Sequence, residues 1–152
     1  MYPYYGNPYT DAYYRPAPDP KLVNDLVKAI NGEYSAIVCY NQLAQLAPSE
    51  KEKKRILEIR EDEVRHYRTF TGIYTSLTGR QPSPQMTEEC AKQYAKGLRT
   101  AIEDEQDTVD FYHEVANTAS DPYISESFRR AAADEQNHAV WFLYFLTGRP
   151  SS

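Results

Sequence analysis

Asp62-Glu63-Val64-Arg65-His66 returns 72 positions later (62 to 134) as Asp134-Glu135-Gln136-Asn137-His138, and this repeat decides the fold. Each copy holds a Glu-x-x-His. Working outward, Glu33 precedes Glu63 by 30 positions (33 to 63), and Glu105 precedes Glu135 by the same 30 (105 to 135). The flanks repeat as well: Tyr40 and Ala44 follow Glu33 as Tyr112 and Ala116 follow Glu105. Four carboxylates and two imidazoles in two equal halves match the ligand set of a two-metal site in a four-helix bundle.

Apolar periodicity supplies the helices. Val23, Leu26, Ile30, Glu33, Ile37, Tyr40, Ala44 and Ala47 advance by alternating steps of three and four. Ile56, Ile59, Glu63, His66, Phe70, Ile73 and Leu77 form a second such stripe, and Leu98, Ile102, Glu105, Val109, Tyr112, Ala116 and Ala119 a third. Phe128, Ala131, Glu135, His138, Phe142 and Phe145 form the fourth. Stripes of this spacing are the inward seams of packed helices. All six polar candidates occupy seam positions that otherwise demand apolar residues. The sequence therefore predicts an all-α fold, a four-helix bundle built from two repeated antiparallel helix hairpins.

The breaks agree with the seams. Pro48-Ser49 separates helices one and two, with Ser49 as N-cap. Gly79 suits a helix stop in Thr78-Gly79-Arg80, and Thr147-Gly148-Arg149 echoes it at the end of helix four. Asp121-Pro122 starts helix four with a cap and a first-turn proline. Residues 81–86, with Pro82 and Pro84, join the halves; residues 88–96 look helical, with a longer crossover as the alternative. Glu33 lies 14 residues before Ala47, and Glu63 lies 14 after Ser49. At about 1.5 Å per residue both stand roughly 21 Å from the turn. Glu105 and Glu135 give the same count in the second half, so all four glutamates are expected at one depth.

Composition limits the alternatives. The 152 residues are 41% hydrophobic and carry a net charge of -5, enough for one domain with a core and a poor match to nucleic acid. No apolar run approaches the roughly 20 residues of a membrane span. The N-terminus lacks the basic and apolar regions of a secretory signal, so a cytoplasmic location is expected. Cys39 and Cys90 make no C-x-x-C. Cys39 falls in a helical pattern and is expected as a buried thiol, with a Cys39–Cys90 disulfide as the alternative. Residues 1–20 hold six tyrosines and five prolines. They read as a flexible tail, idle or adhesive, ahead of a bundle domain over residues 21–152.

Residues three apart share a helix face, so each Glu-x-x-His aims a carboxylate and an imidazole at one point. Glu63 and Glu135 can bridge two cations, His66 and His138 can each bind one, and Glu33 and Glu105 can cap them. Four carboxylates without cations would repel one another and be costly to bury. Oxygen-rich ligands with one imidazole per metal suit iron or manganese. Asp62 and Asp134 can accept the second N–H of the histidine of the other half. Tyr40 and Tyr112, two turns beyond the capping glutamates, are core residues or catalytic hydrogen-bond donors. His113, Glu103 and Glu114 fall off the ligand face and read as surface residues.

Together these residues resemble the ferritin-like superfamily, and within it the erythrin domain of the rubrerythrin family, over about residues 21–147. The ligands match one by one: Glu33, Glu63 and His66, Glu105, Glu135 and His138, with Tyr40 as the helix-one tyrosine near the metal pair. The resemblance implies a left-handed bundle with a crossover between helices two and three, a homodimer, and two iron ions reacting with peroxide or dioxygen. It also implies an electron donor, which the sequence does not name. Two departures stand out. The chain carries no rubredoxin domain, and Ile102 stands one turn before Glu105, where rubrerythrins often place another glutamate. The remaining six-ligand set is also that of bacterioferritins and manganese catalases, so manganese in place of iron is the alternative. The Tyr/Pro-rich tail resembles those of spore-coat proteins, which sets a spore-associated structural role beside the enzymatic one.

Overall fold

The computed structural model describes residues 17–148, which form four helices: α1 (Pro20–Leu46), α2 (Glu50–Thr78), α3 (Tyr94–Thr118) and α4 (Pro122–Thr147). Residues 1–16 of the tail lie outside the described residues. α1, α2 and α4 each start where a side chain accepts a free N–H of the first turn, whereas α3 starts at Gln93 without such a cap. Ser49 accepts from the Glu52 amide at 3.2 Å, while Asp121 accepts from both Tyr123 and Ile124, at 2.8 and 3.1 Å. Asp19 does the same for α1, accepting from Lys21 at 3.0 Å. Gly79 closes α2 with φ 68°, a left-handed conformation that glycine adopts without a Cβ clash. The expected echo at Gly148 is only partial, because its φ is -75° and no left-handed turn forms.

α1 packs along α2 and α3 along α4, and the two hairpins meet through α1 with α3 and α2 with α4. The core divides into two apolar clusters. One joins Leu26 and Ile30 of α1 to Phe70 and Ile73 of α2, Tyr112 and Val115 of α3, and Ile124 and Phe128 of α4. The other joins Leu43 and Ala44 to Ile56 and Ile59, Leu98 and Ala101, and Phe142 and Phe145. The start of α1 thus meets the end of α2, and the end of α3 meets the start of α4: both hairpins are antiparallel. Phe70 and Phe128 stack at 4.4 Å between ring centroids, and both are fully buried. Burying a side chain of that size contributes about 1.5–3 kcal/mol. The belt between the two clusters is polar.

The connection from α2 to α3 crosses the length of the bundle, because α3 begins beside the first turn of α2, with Tyr94 Oη donating to Glu52 at 3.1 Å. Helix three therefore starts at Tyr94, and residues 88–93 are not helical as the sequence suggested. The crossover over residues 80–93 is held by side chains of α1. Asn31 Oδ1 accepts from the Gln85 amide at 2.9 Å, and Ser35 Oγ accepts from the Thr87 amide at 2.9 Å and lies 3.0 Å from the Thr87 hydroxyl. Cys39 completes the row by forming a disulfide with Cys90, with Cα atoms 5.1 Å apart. The buried thiol expected at Cys39 is thus corrected. Asn31, Ser35 and Cys39 are spaced by four, so they share a face of α1, and that face meets the crossover strap rather than the seam.

Candidate metal centre

The polar belt lies between the two apolar clusters, and the structure brings all six candidate ligands into it. Glu33, Glu63, His66, Glu105, Glu135 and His138 are each at most 6% exposed. The helices of each hairpin present them at one depth, as the equal 14-residue spacings require. They form two groups, Glu33, Glu63, His66 and Glu135 in one, and Glu63, Glu105, Glu135 and His138 in the other. In each group, one potential ligand atom per residue lies within 4.8 Å of all the others. Glu63 and Glu135 belong to both groups.

The surrounding contacts cross between the halves. His66 Nε2 lies 2.9 Å from Asp134 Oδ2, and His138 Nε2 lies 2.9 Å from Asp62 Oδ2. Tyr40 Oη donates to Glu105 Oε1, and Tyr112 Oη donates to Glu33 Oε1. Each hairpin thereby orients the histidine and the capping glutamate of the other. His113, Glu103 and Glu114 are exposed, as expected.

Whether cations suit this arrangement can be asked of its unsatisfied atoms. Buried polar atoms almost always have hydrogen-bond partners. Here Glu33 Oε2, Glu63 Oε1, His66 Nδ1, Glu105 Oε2, Glu135 Oε1 and His138 Nδ1 have none. That is one atom from each of the six residues. Two of them approach carboxylates closely, His138 Nδ1 at 2.8 Å from Glu63 Oε1 and His66 Nδ1 at 2.9 Å from Glu135 Oε1, without the alignment of a hydrogen bond. The pattern fits cations, which need no such alignment between their ligands.

Electrostatics agree. Burial and then the Glu63 charge raise Glu33 and Glu105 above the usual carboxylate range, and burial and then Glu105 do the same for Glu135. Glu63 goes the other way. Burial opposes its ionisation, but the close approach of Glu33, His138 and His66 outweighs burial and holds it well below that range. Burial disfavours the imidazolium forms too, yet the adjacent carboxylates win: His66 is raised well above its ordinary value, and His138 to about 11. Without cations the cluster keeps protons as its counter-charge.

A cavity of about 350 Å³ reaches the cluster from between α1 and α3. Glu33, Glu63, Glu105, Glu135, Tyr40 and Tyr112 line its inner end, and Lys28, Thr87, Glu88 and Asp104 stand among its outer walls. Neither histidine lines it, so this cavity opens on the carboxylates. Burial, then hydrogen bonding with Glu88, pushes half-buried Asp104 up to about 7. Thr87 and Glu88 belong to the strap, so the crossover forms part of the cavity wall. The residue-type pattern did not reveal the strap's part in this wall. The row Asn31, Ser35, Cys39 was its available signal, being polar at helical spacing on a helix whose inward face was already assigned.

Comparison with known proteins follows the same lines. The family model described as Rubrerythrin matches residues 96–151. The uncharacterized protein YhjR of Bacillus subtilis (strain 168) is 53% identical over 131 residues, covering 86% of this chain and 90% of that protein. Among solved structures, a hypothetical protein from Pyrococcus furiosus superposes with a TM-score of 0.70 at 19% identity, covering 92% of this chain and 96% of that one. A two-domain protein from Anabaena variabilis, with DJ-1/ThiJ/PfpI-like and ferritin-like domains, gives 0.68 at 16% identity over 93% of this chain and 43% of its own. At these identities the two structures speak to the fold alone. Among the described residues no helix is long and apolar enough to cross a membrane.

Proposed function

The chain belongs to the rubrerythrin family of ferritin-like proteins, and on that premise we propose that it is a di-iron carboxylate oxidoreductase acting on peroxide or dioxygen. The observation that carries this reading is the pair of buried four-residue groups sharing Glu63 and Glu135. Two cations so held would have two bridging carboxylates, one imidazole each, and Glu33 or Glu105 as a cap. Iron held by these residues would supply two electrons together, the number that reduces one peroxide.

The chain's own residues do the rest. The carboxylate-lined cavity admits a small oxidant on the face away from the histidines. Tyr40 and Tyr112 hold Glu105 and Glu33 by their hydroxyls and line the same cavity, which supports a role for them as hydrogen-bond donors to an arriving oxygen atom. Asp62 and Asp134 fix the imidazole tautomers from outside, leaving Nδ1 of each ring turned inward. The two apolar clusters above and below exclude bulk water, which strengthens every charge interaction in the belt. An external electron donor completes the cycle, and a homodimer in the cytoplasm or at a spore coat is the assembly that we expect.

Anaerobic loading with ferrous ion, metal analysis, and stopped-flow mixing with peroxide or dioxygen test the proposal. About two irons per chain, oxidised together, are expected. A folded protein that binds no iron would overturn it. Manganese catalase chemistry is the competing reading, favoured by Ile102 standing where an extra glutamate would otherwise sit. Rapid oxygen evolution from peroxide by the manganese-loaded protein would select it. Metal-loaded protein inert to both oxidants would select a structural coat role.

A further inference from the structure

Position 65 breaks the repeat. Asp62, Glu63 and His66 return as Asp134, Glu135 and His138, but Arg65 is answered by Asn137. The break falls where it has a consequence. Arg65 Nη1 donates to Asp62 Oδ1 at 2.5 Å, and its Nη2 lies 3.8 Å from Asp134 Oδ2. The other oxygen of Asp62, Oδ2, faces His138 Nε2 at 2.9 Å. Asp62 is therefore shared between a guanidinium and an imidazole. Asp134 faces His66 at the same 2.9 Å, with Arg65 and Arg130 Nε only at 3.8 and 3.9 Å.

A charge-assisted hydrogen bond draws electron density from the accepting carboxylate. An imidazole is a better metal ligand when its second N–H is given to a strong acceptor. Asp62, already engaged by Arg65, is the weaker acceptor of the two aspartates. His138 is accordingly the poorer donor to a cation, although the carboxylates around both rings are matched. Arg65 is 57% exposed, so solvent screens its charge at a distance, and the effect must pass through the direct hydrogen bond to Asp62.

We propose that Arg65 is a positioning residue that makes the two metal positions unequal, so that a divalent cation loads first at Glu33, Glu63, Glu135 and His66, and second at the position bound by His138. The inference rests on the two-metal reading of the site. It adds an order of loading and a residue that sets it, with Asn137 leaving the other half without the counterpart.

Cobalt(II) titration of the metal-free full chain tests this, read by its visible d–d absorption and by the paramagnetically shifted imidazole N–H proton resonances. The first equivalent should shift the N–H of His66, assigned by comparison with Asp134→Asn. The second should bind about tenfold more weakly, the lower end of what altering a histidine's carboxylate partner does. Arg65→Met keeps the aliphatic stem and removes the donor, and should bring the two affinities within about threefold of each other. The exchange Arg65→Asn with Asn137→Arg should reverse the order, so that the His138 N–H shifts first. Both positions are on the exposed faces of their helices, and unchanged thermal melts of the metal-free variants would establish that folding is not the cause. Equal affinities in the native chain, or a gap that Arg65→Met leaves unchanged, overturn the assignment to Arg65 while leaving the two-metal reading intact. Failure of the folded native chain to bind cobalt(II) overturns both.

Discussion

The α1–α2 hairpin carries a disulfide to the strap and a guanidinium hydrogen-bonded to its outer aspartate, which the α3–α4 hairpin lacks, although both present a glutamate, a Glu-x-x-His and a tyrosine. On α1, Asn31, Ser35 and Cys39 are used to hold the crossover. The corresponding positions of α3 are Glu103, Asp107 and Phe111 (each 72 further on), and Asp107 and Phe111 line the cavity instead. The difference teaches that the repeat persists on the inward faces, at the belt and at core positions such as Ala44 with Ala116 and Phe70 with Phe142. The outward faces are free to diverge, one into a support and the other into a wall of the cavity.

The sharpest way to break the equivalence is to remove one carboxylate at a time. Glu63 belongs to both groups and Glu33 to one. Metal analysis of Glu63→Ala should find about zero ions per chain, whereas Glu33→Ala should retain about one. Equal losses from the two variants would mean that Glu63 does not bridge.

The disulfide tests what hairpin one alone supports. It joins residues 51 apart in sequence. Closing a loop of that size stabilises a fold by about 2–4 kcal/mol. Cys39→Ser with Cys90→Ser should therefore lower the melting temperature by roughly 4–16 °C for a chain of this length. Metal content should persist, because neither sulfur lies among the ligands. An unchanged melt would show that the Asn31 and Ser35 hydrogen bonds hold the strap unaided.

Acid should weaken both metal positions. Glu33, Glu105 and Glu135 are raised above the ordinary carboxylate range, and His138 reaches about 11 in the metal-free protein. His138 therefore keeps its second proton at neutral pH, the three glutamates keep theirs to higher pH than ordinary carboxylates do, and a cation must displace whatever protons are held. Affinity therefore rises with pH, by about tenfold per unit for each proton released. Calorimetry of manganese(II) binding at pH 6 and 7.5, in buffers of different ionisation enthalpy, would count those protons. Affinity independent of pH would contradict the charge arrangement described above.

The smallest effect compares the helix starts. Ser49 serves one amide and Asp121 serves two. Replacement by alanine should cost about 1 kcal/mol at Ser49 and closer to 2 at Asp121, measured by urea unfolding of the metal-free chain. The reverse order would show that the side-chain contact from Ser49 to Glu52, at 2.6 Å, outweighs the second amide.

Much of this was legible before any coordinates. The helices and the convergence of the six ligands followed from period and spacing, because a polar residue on an apolar seam has few reasons to be there. The antiparallel pairing followed from the equal 14-residue counts on each side of the turns. A crossover stood only as the alternative for residues 88–96, and its path against α1 did not follow. Residues 88–93 have ordinary helix-compatible composition, and the path of the strap is fixed by contacts of Thr87 to Ser35 and of Cys90 to Cys39, each more than 50 positions away. Cys39 misled for a related reason: being on a helix says nothing about which neighbour its face meets. Nothing in the sequence singles out Arg65, whose part rests on its distances to Asp62 and Asp134.

The division of ligands between the hairpins has one more consequence. The first group takes Glu33, Glu63 and His66 from one hairpin and Glu135 from the other, while the second takes Glu105, Glu135 and His138 from one and Glu63 from the other. A cation in either position thus ties three side chains of one hairpin to a single carboxylate of the opposite one. Two such ties, running in opposite senses, act as a removable pair of cross-links at the middle of the molecule. Binding then adds directly to the free energy that must be overcome to separate the hairpins. Metal supply, on the two-metal reading, sets whether the bundle opens as one cooperative unit or as two.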